Sequence, residues 1–167
     1  RIRLAIVYRT MNDPLEAARW YLDVPETDPQ YASARISAGQ SYWAAWTQRA
    51  ATAAAEDPEN ANTPSADLQS WKTEAQNLLT QGIQITRDRI GADAKPSDEL
   101  VAAEVSLASI LNLDGDFQGA ITRLTSGGQN SVVASIQMPE GEARPDDGIQ
   151  SKSFTGLTFR LLLRAYV

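Results

Sequence analysis

The sequence predicts an all-α fold built from stacked helix pairs. Tyr8 and Tyr42 lie 34 residues apart and end two similar phrases, residues 4–8 (LAIVY) and 38–42 (AGQSY). Residues 107–111 (LASIL) repeat the phrase with leucine in place of tyrosine. A period in this range is typical of helix pairs that bury their apolar faces only by stacking. Alanine supplies much of the 43% hydrophobic content, which favours closely packed helices.

The first helix pair is predicted at the start of the chain. Apolar residues at helical spacing indicate a helix over residues 2–11. Asp13 is predicted to cap a second helix, with Pro14 at its first position and Glu16 completing an arrangement like a capping box. This second helix is expected to end before Pro25.

The second helix pair is predicted to be unusually long. Its first helix begins by the same chemistry at Asp28-Pro29 and continues through Ala55. Residues 57–64 are polar, acidic and flanked by proline, which indicates an exposed loop. A helix over residues 66–90 follows, and Gly91 favours its end there.

Two interpretations of this long pair are open. Tyr42 and Leu111 lie 69 residues apart, close to two repeat lengths, which permits a hidden extra repeat. That phase would place Gln76 at the position of the tyrosines. We therefore favour one enlarged unit.

A third pair and an irregular region complete the chain. Ser97 is predicted to cap a helix over residues 98–113, and Asp116 a short helix that reaches Thr125. Glycine and proline punctuate a long loop at residues 127–152. Within that loop, residues 131–138 form either a helical turn or a short extended segment. A final helix is predicted from about residue 154 to the end.

These phrases resemble the tetratricopeptide repeat. That family has a small residue beside a large apolar one in helix A, a tyrosine-like residue one turn later, alanine in helix B and a Gly-Asp-Tyr-like turn between them. Here the turn is Gly115-Asp116-Phe117. The resemblance covers residues 1–31, helix A of the second unit and residues 100–125. A fourth helix A is at residues 159–166.

The resemblance implies a right-handed α-α superhelix, a solenoid of antiparallel helix pairs with about seven helices. One unit is enlarged and one loop is long. The expected domain organisation is a single repeat domain with units at about residues 1–28, 29–91 and 97–126, a truncated unit at 153–167 and an irregular insertion at 127–152. Because the last helix has no partner helix, we expect the chain to be a piece of a larger protein.

The resemblance also implies a partner-binding surface. Helix A of each unit would line a concave face, with the residue after the tyrosine-like position pointing into the groove. The predicted binding residues are Arg9, Gln40, Trp43, Asn112, Arg160 and Arg164. Arginine and tryptophan often dominate protein interfaces. The alternative for the arginines is solvated side chains of little consequence.

Three tryptophans carry a separate alternative. Trp43 and Trp46 lie three residues apart, on one side of a helix, and Trp71 follows on the next helix. They form either an aromatic ligand platform or a filling between two long helices. We favour the filling.

Composition excludes several kinds of function. A net charge of −6 argues against binding of nucleic acid backbones. The absence of cysteine and histidine removes thiol and imidazole catalysis and thiolate zinc sites. No apolar run approaches the roughly 18 residues of a membrane span. With no catalytic motif in view, we expect no enzyme, cofactor or metal site. The compartment stays open between cytoplasmic and exported.

The function predicted from these patterns is non-catalytic binding of a protein or peptide, by a repeat module that is part of a larger polypeptide. One alternative is a structural spacer or self-association domain, pairing through the truncated C-terminal helix. Another is the accessory domain of an enzyme whose catalytic part lies elsewhere.

Overall fold

The computed structural model of this chain describes residues 1–57, 65–91, 94–127 and 130–136, and within these ranges it contains helices and no strand. The helices are α1 (Ile2–Thr10), α2 (Pro14–Leu22), α3 (Tyr31–Glu56), α4 (Ala66–Ile90), α5 (Asp98–Leu113), α6 (Phe117–Thr125) and α7 (Val132–Ile136). The predicted all-α class is confirmed. In the long loop, the helical turn is correct and the extended alternative is wrong. No helix in the described ranges has both the length and the apolar character that a membrane span needs.

Side-chain caps start the helices where local chemistry predicts them, with one exception. The Asp13 carboxylate accepts a hydrogen bond from the Glu16 amide at 3.2 Å, at the start of α2. The predicted start of α3 at Asp28-Pro29 is wrong. Asp28 instead accepts from the Gln30 amide at 2.8 Å, which makes a turn, and α3 begins at Tyr31 without a side-chain cap.

Two compact units divide the chain, Arg1–Thr86 (unit 1) and Arg87–Val167 (unit 2). Unit 1 contains α1, α2, α3 and most of α4. Tyr8 and Tyr42 are half-buried and pack against its core. The core of unit 1 comprises Ala5, Ala17, Tyr21, Val24, Ala34, Ala38 and Leu78. Small alanines allow these helices to approach closely.

Unit 2 begins in the last turn of α4 and includes α5, α6 and α7. Its core comprises Val101, Val105, Ala108, Ala120, Leu124 and Val132. Leu111, the predicted counterpart of the two tyrosines, is half-buried and packs against this core. All three tyrosine-like positions therefore pack inward within their own units, as their place in the pattern predicts.

Within unit 1, α3 and α4 cross at two glycines with almost no space between their backbones. A Cβ atom on Gly39 would lie 2.8 Å from Leu79 Cγ and 3.0 Å from the Ala75 carbonyl oxygen. A Cβ atom on Gly82 would lie 2.7 Å from Ile36 Cγ1 and 2.9 Å from the Ile36 nitrogen. Each glycine thus faces the residues that precede the other, as expected of an antiparallel pair in close contact.

The turn between α1 and α2 is repeated between α5 and α6. The Asp13 amide donates to the Tyr8 carbonyl at 2.9 Å, and the Asp116 amide donates to the Leu111 carbonyl at 2.9 Å. Both aspartates then cap the following helix. Each is preceded by a residue with positive φ, Asn12 at 60° and Gly115 at 80°. We call these two helix pairs the first and second hairpins.

The two hairpins also share their packing positions. Ala5 on α1 corresponds to Ala108 on α5, and both are fully buried. Ala17 on α2 corresponds to Ala120 on α6, and both are buried. The correspondence covers the turn hydrogen bonds, the aspartate caps and these two alanine positions, so the two hairpins share one local helix–turn–helix geometry.

Candidate partner-binding surface

In unit 1 the predicted binding residues lie on α1 and α3. Arg9 is exposed in the last turn of α1, directly after Tyr8. Gln40 and Trp43 are half-buried and lie one turn apart on α3, hence on one face of that helix. Among the described residues, no hydrogen bond or ion pair joins the Arg9 side chain to another group.

The tryptophans of α3 form a parallel stack. The ring centroids of Trp43 and Trp46 are 4.8 Å apart, and the ring planes differ by 6°. Both side chains are half-buried, and the buried Trp46 Nε1 donates no hydrogen bond to any described residue. Face-to-face stacking holds the Trp43 ring in one orientation. A rigid aromatic surface of this kind loses little entropy when a partner covers it.

Trp71 does not join this stack and instead lines a separate open groove of about 270 Å³. Sequence reasoning grouped the three tryptophans and missed this groove. At one end, Gln48 donates a hydrogen bond to Asn12 at 2.9 Å, which ties α3 to the turn of the first hairpin. The groove is lined by Asp13, Pro14, Leu15, Ala45, Gln48, Arg49, Thr52 and Trp71.

In unit 2 the predicted residue Asn112 occupies the place in the second hairpin that Arg9 has in the first. Its backbone carbonyl accepts from the Gly115 amide at 3.2 Å, as the Arg9 carbonyl accepts from Asn12 at 3.1 Å. The Asn112 side chain is half-buried, and its buried Oδ1 accepts no hydrogen bond from the described residues. An unpaired buried acceptor is costly to the folded state.

The remaining predicted residues, Arg160 and Arg164, lie outside the described residues. The same holds for the truncated unit at 153–167 and for most of the insertion at 127–152.

Sequence reasoning also missed a buried charge in unit 2. The Glu104 carboxylate on α5 lies 3.5 Å from Arg87, in the last turn of α4, and 3.6 Å from Arg123 on α6. Burial raises the pKa of Glu104, and the two guanidinium groups oppose this rise. These distances are long for charge-assisted hydrogen bonds, and Oε2 accepts none from the described residues. We therefore expect burial to affect the pKa of Glu104 more than the two arginines do, so that this pKa stays raised.

The arrangement around Glu104 is suited to holding helices together rather than to catalysis. Its carboxylate is enclosed, and the arginines reach it from the last turn of α4 and from α6. The signal in the sequence is one glutamate as the single charged residue in the mostly apolar segment at residues 100–110. A charged residue at a core position predicts buried partners without identifying them.

No protein-family profile matches this chain, and neither a curated protein nor a solved structure is significantly similar to it. The assignment to a repeat family therefore stays a prediction from the residues and their repeated geometry.

Proposed function

We propose that this chain is a non-catalytic repeat module that binds a protein or peptide on behalf of a larger polypeptide. In this proposal, the helix pairs stack as a right-handed superhelix of the tetratricopeptide type. The observation that carries it is the repetition of one hairpin, with the same turn hydrogen bonds, the same aspartate cap and the same buried alanines. Modules built from repeated helix pairs generally act by presenting an extended binding surface.

In this proposal, the residue directly after the tyrosine-like position of each helix A contacts the partner. Arg9 follows Tyr8, Trp43 follows Tyr42, and Asn112 follows Leu111. Each preceding residue packs against the core of its unit, and the following side chain is turned by about 100° from it around the helix. Arg9, the Trp43–Trp46 stack and the half-buried Asn112 side chain would supply a charge, an aromatic surface and a polar group.

Affinity capture from a lysate of the source organism tests this proposal. The wild type is compared with the Arg9→Glu and Trp43→Ala variants. Arg19→Glu is the matched control, because Arg19 is exposed on α2 and undergoes the same charge reversal. We expect a partner that the wild type and Arg19→Glu retain and that both surface variants lose.

Circular dichroism must first show equal helical content in all four proteins. A partner retained by every variant would contradict a concave-face surface. Absence of any partner would favour the structural spacer or self-association domain instead.

A further inference from the structure

Helix α1 exposes an apolar stripe on the side that faces away from the core of unit 1. Leu4 is 44% exposed, Val7 48% and Met11 69%. These residues are three and four positions apart, so they lie on one face of the helix. Three large apolar side chains on so short a helix form a contiguous patch rather than scattered exposure.

The second hairpin shows the same face in a covered state. Leu107 corresponds to Leu4, and Ile110 corresponds to Val7. Leu107 is 1% exposed and Ile110 is fully buried. At these two positions the face is covered in the second hairpin and open in the first, whereas Met11 corresponds to Asp114, which is also exposed. The comparison indicates that the face is a packing surface for another element.

The charge of α1 indicates which kind of partner could cover this face. Helix α1 and its N-terminal cap carry Arg1, Arg3 and Arg9 and no acidic residue, in a chain of net charge −6. Arg1 is paired with Asp23 at 3.1 Å, whereas Arg3 forms no ion pair among the described residues. Arg3 precedes Val7 by one turn, so it flanks the stripe. Two copies packed through α1 would bring arginines together without a neutralising acid from either helix.

We infer that the face formed by Leu4, Val7 and Met11 with Arg3 is a docking surface for an acidic amphipathic helix. The partner helix has its own apolar stripe, flanked by aspartate or glutamate that meets Arg3. Packing of two apolar stripes provides affinity, and the charge pair selects the partner and its orientation. This surface is separate from the concave face, because Arg9 lies on another side of α1.

Two synthetic peptides of about 15 residues test the inference, since isolated helices become stable near this length. Both carry the same leucine stripe. One has glutamate beside it and the other has lysine, and fluorescence anisotropy measures their binding. We expect the wild type to prefer the glutamate peptide.

Three variants separate the contribution of the apolar stripe from that of Arg3. Val7→Ser combined with Met11→Ser is expected to weaken binding of the glutamate peptide at least about tenfold, because the buried apolar area is lost. Leu113→Ser, at a 52% exposed residue of α5, is the control and should leave binding unchanged. Arg3→Glu should weaken the glutamate peptide about two- to fivefold, the range of an exposed ion pair, and strengthen the lysine peptide.

Arg19→Glu is the matched control for Arg3→Glu, because Arg19 is exposed on α2 and undergoes the same charge reversal, and it should change the binding of neither peptide. The inference is overturned if the wild type binds both peptides equally, or binds neither. Equal weakening by Leu113→Ser would also overturn it. So would a wild-type dimer in sedimentation that Val7→Ser with Met11→Ser dissociates, or binding to phosphatidylserine vesicles without binding to the glutamate peptide.

Discussion

Substitution of alanine for Gly39 should destabilise unit 1, although alanine is the better helix former. The added Cβ would lie 2.8 Å from Leu79 Cγ and 3.0 Å from two backbone atoms of α4. Ordinary contacts of this type are about 3.5–4.0 Å, so α3 and α4 must separate by several tenths of an ångström or more. Overpacking of this kind costs about 1–3 kcal/mol. Alanine returns about 1 kcal/mol of helix propensity. The difference is a net loss of up to about 2 kcal/mol.

Tryptophan fluorescence during urea unfolding measures this effect in unit 1 alone. The chain has four tryptophans, and all of them precede residue 87, where unit 2 begins. The Ala51→Gly variant provides the propensity term, because Ala51 is exposed on the same helix. The unfolding free energy that Ala51→Gly loses measures the difference in helix propensity between alanine and glycine. Gly39→Ala should gain this same amount from propensity, and overpacking is then subtracted from it.

Gly82→Ala tests the same crossing from the other helix, where the added Cβ would lie 2.7 Å from Ile36 Cγ1. Because both substitutions separate the same two helices, the double variant should lose less than the sum of the single losses. The reasoning is refuted if Gly39→Ala stabilises unit 1 by the amount that Ala51→Gly destabilises it. That result would mean that the helices do not meet closely at Gly39.

Three further predictions concern the caps, the buried carboxylate and the tryptophan stack. Asp13→Ala and Asp116→Ala should each cost about 1 kcal/mol of unfolding free energy, because they cap equivalent helices; urea unfolding followed by circular dichroism measures both, and very different costs would contradict the equivalence of the hairpins. Burial raises the pKa of folded Glu104 above 4.5, so this carboxyl contributes stability that is present below pH 4.5 and is lost as the pH rises through the raised value. Glu104→Gln should remove that part of the pH dependence in unfolding curves recorded from acidic to neutral pH, and an unchanged dependence would refute the assignment. Trp43→Ala should lower the stability of unit 1 by at least about 0.5–1.5 kcal/mol, the strength of an aromatic pair, and expose Trp46 to a fluorescence quencher.

The helix boundaries could be predicted because their signals are local. Asp13, Ser97 and Asp116 each accept a hydrogen bond from an amide three residues later. Such a cap depends on the residues of one turn and can be identified without knowing the fold. Asp28 shows the limit of this reasoning, because the same side chain can close a turn just before a helix instead of capping it.

The crossing of α3 and α4 could not be predicted, because its chemistry is non-local. Gly39 forms part of a repeated phrase, and Gly82 is an ordinary member of a long helical pattern. Neither position indicates which residues of the other helix it meets. The position of Trp71 is non-local in the same way, because its distance from Trp43 depends on how α3 and α4 cross.

The geometry of the candidate surface also depends on non-local packing, so spacing predicts it only in part. Spacing along α3 places Trp43 and Trp46 on neighbouring sides of one helix, and the structure stacks them. The buried amide oxygen of Asn112 depends on the packing of unit 2, which spacing does not reveal. Glu104 looks like a solvated residue by type and becomes a buried ion pair only when Arg87 and Arg123 approach from other helices.

The two hairpins share a turn and a cap, but this shared geometry does not determine whether the outer face of the first helix is exposed or covered. Arg3 and Arg9 belong to one short helix and carry the same charge, yet they serve the two proposed surfaces separately. If Arg9→Glu loses a captured partner and keeps the acidic peptide, while Arg3→Glu does the reverse, the helix has two independent binding faces. If both variants lose both ligands, α1 acts as a single positively charged site, and the two surfaces must be replaced by one electrostatic patch.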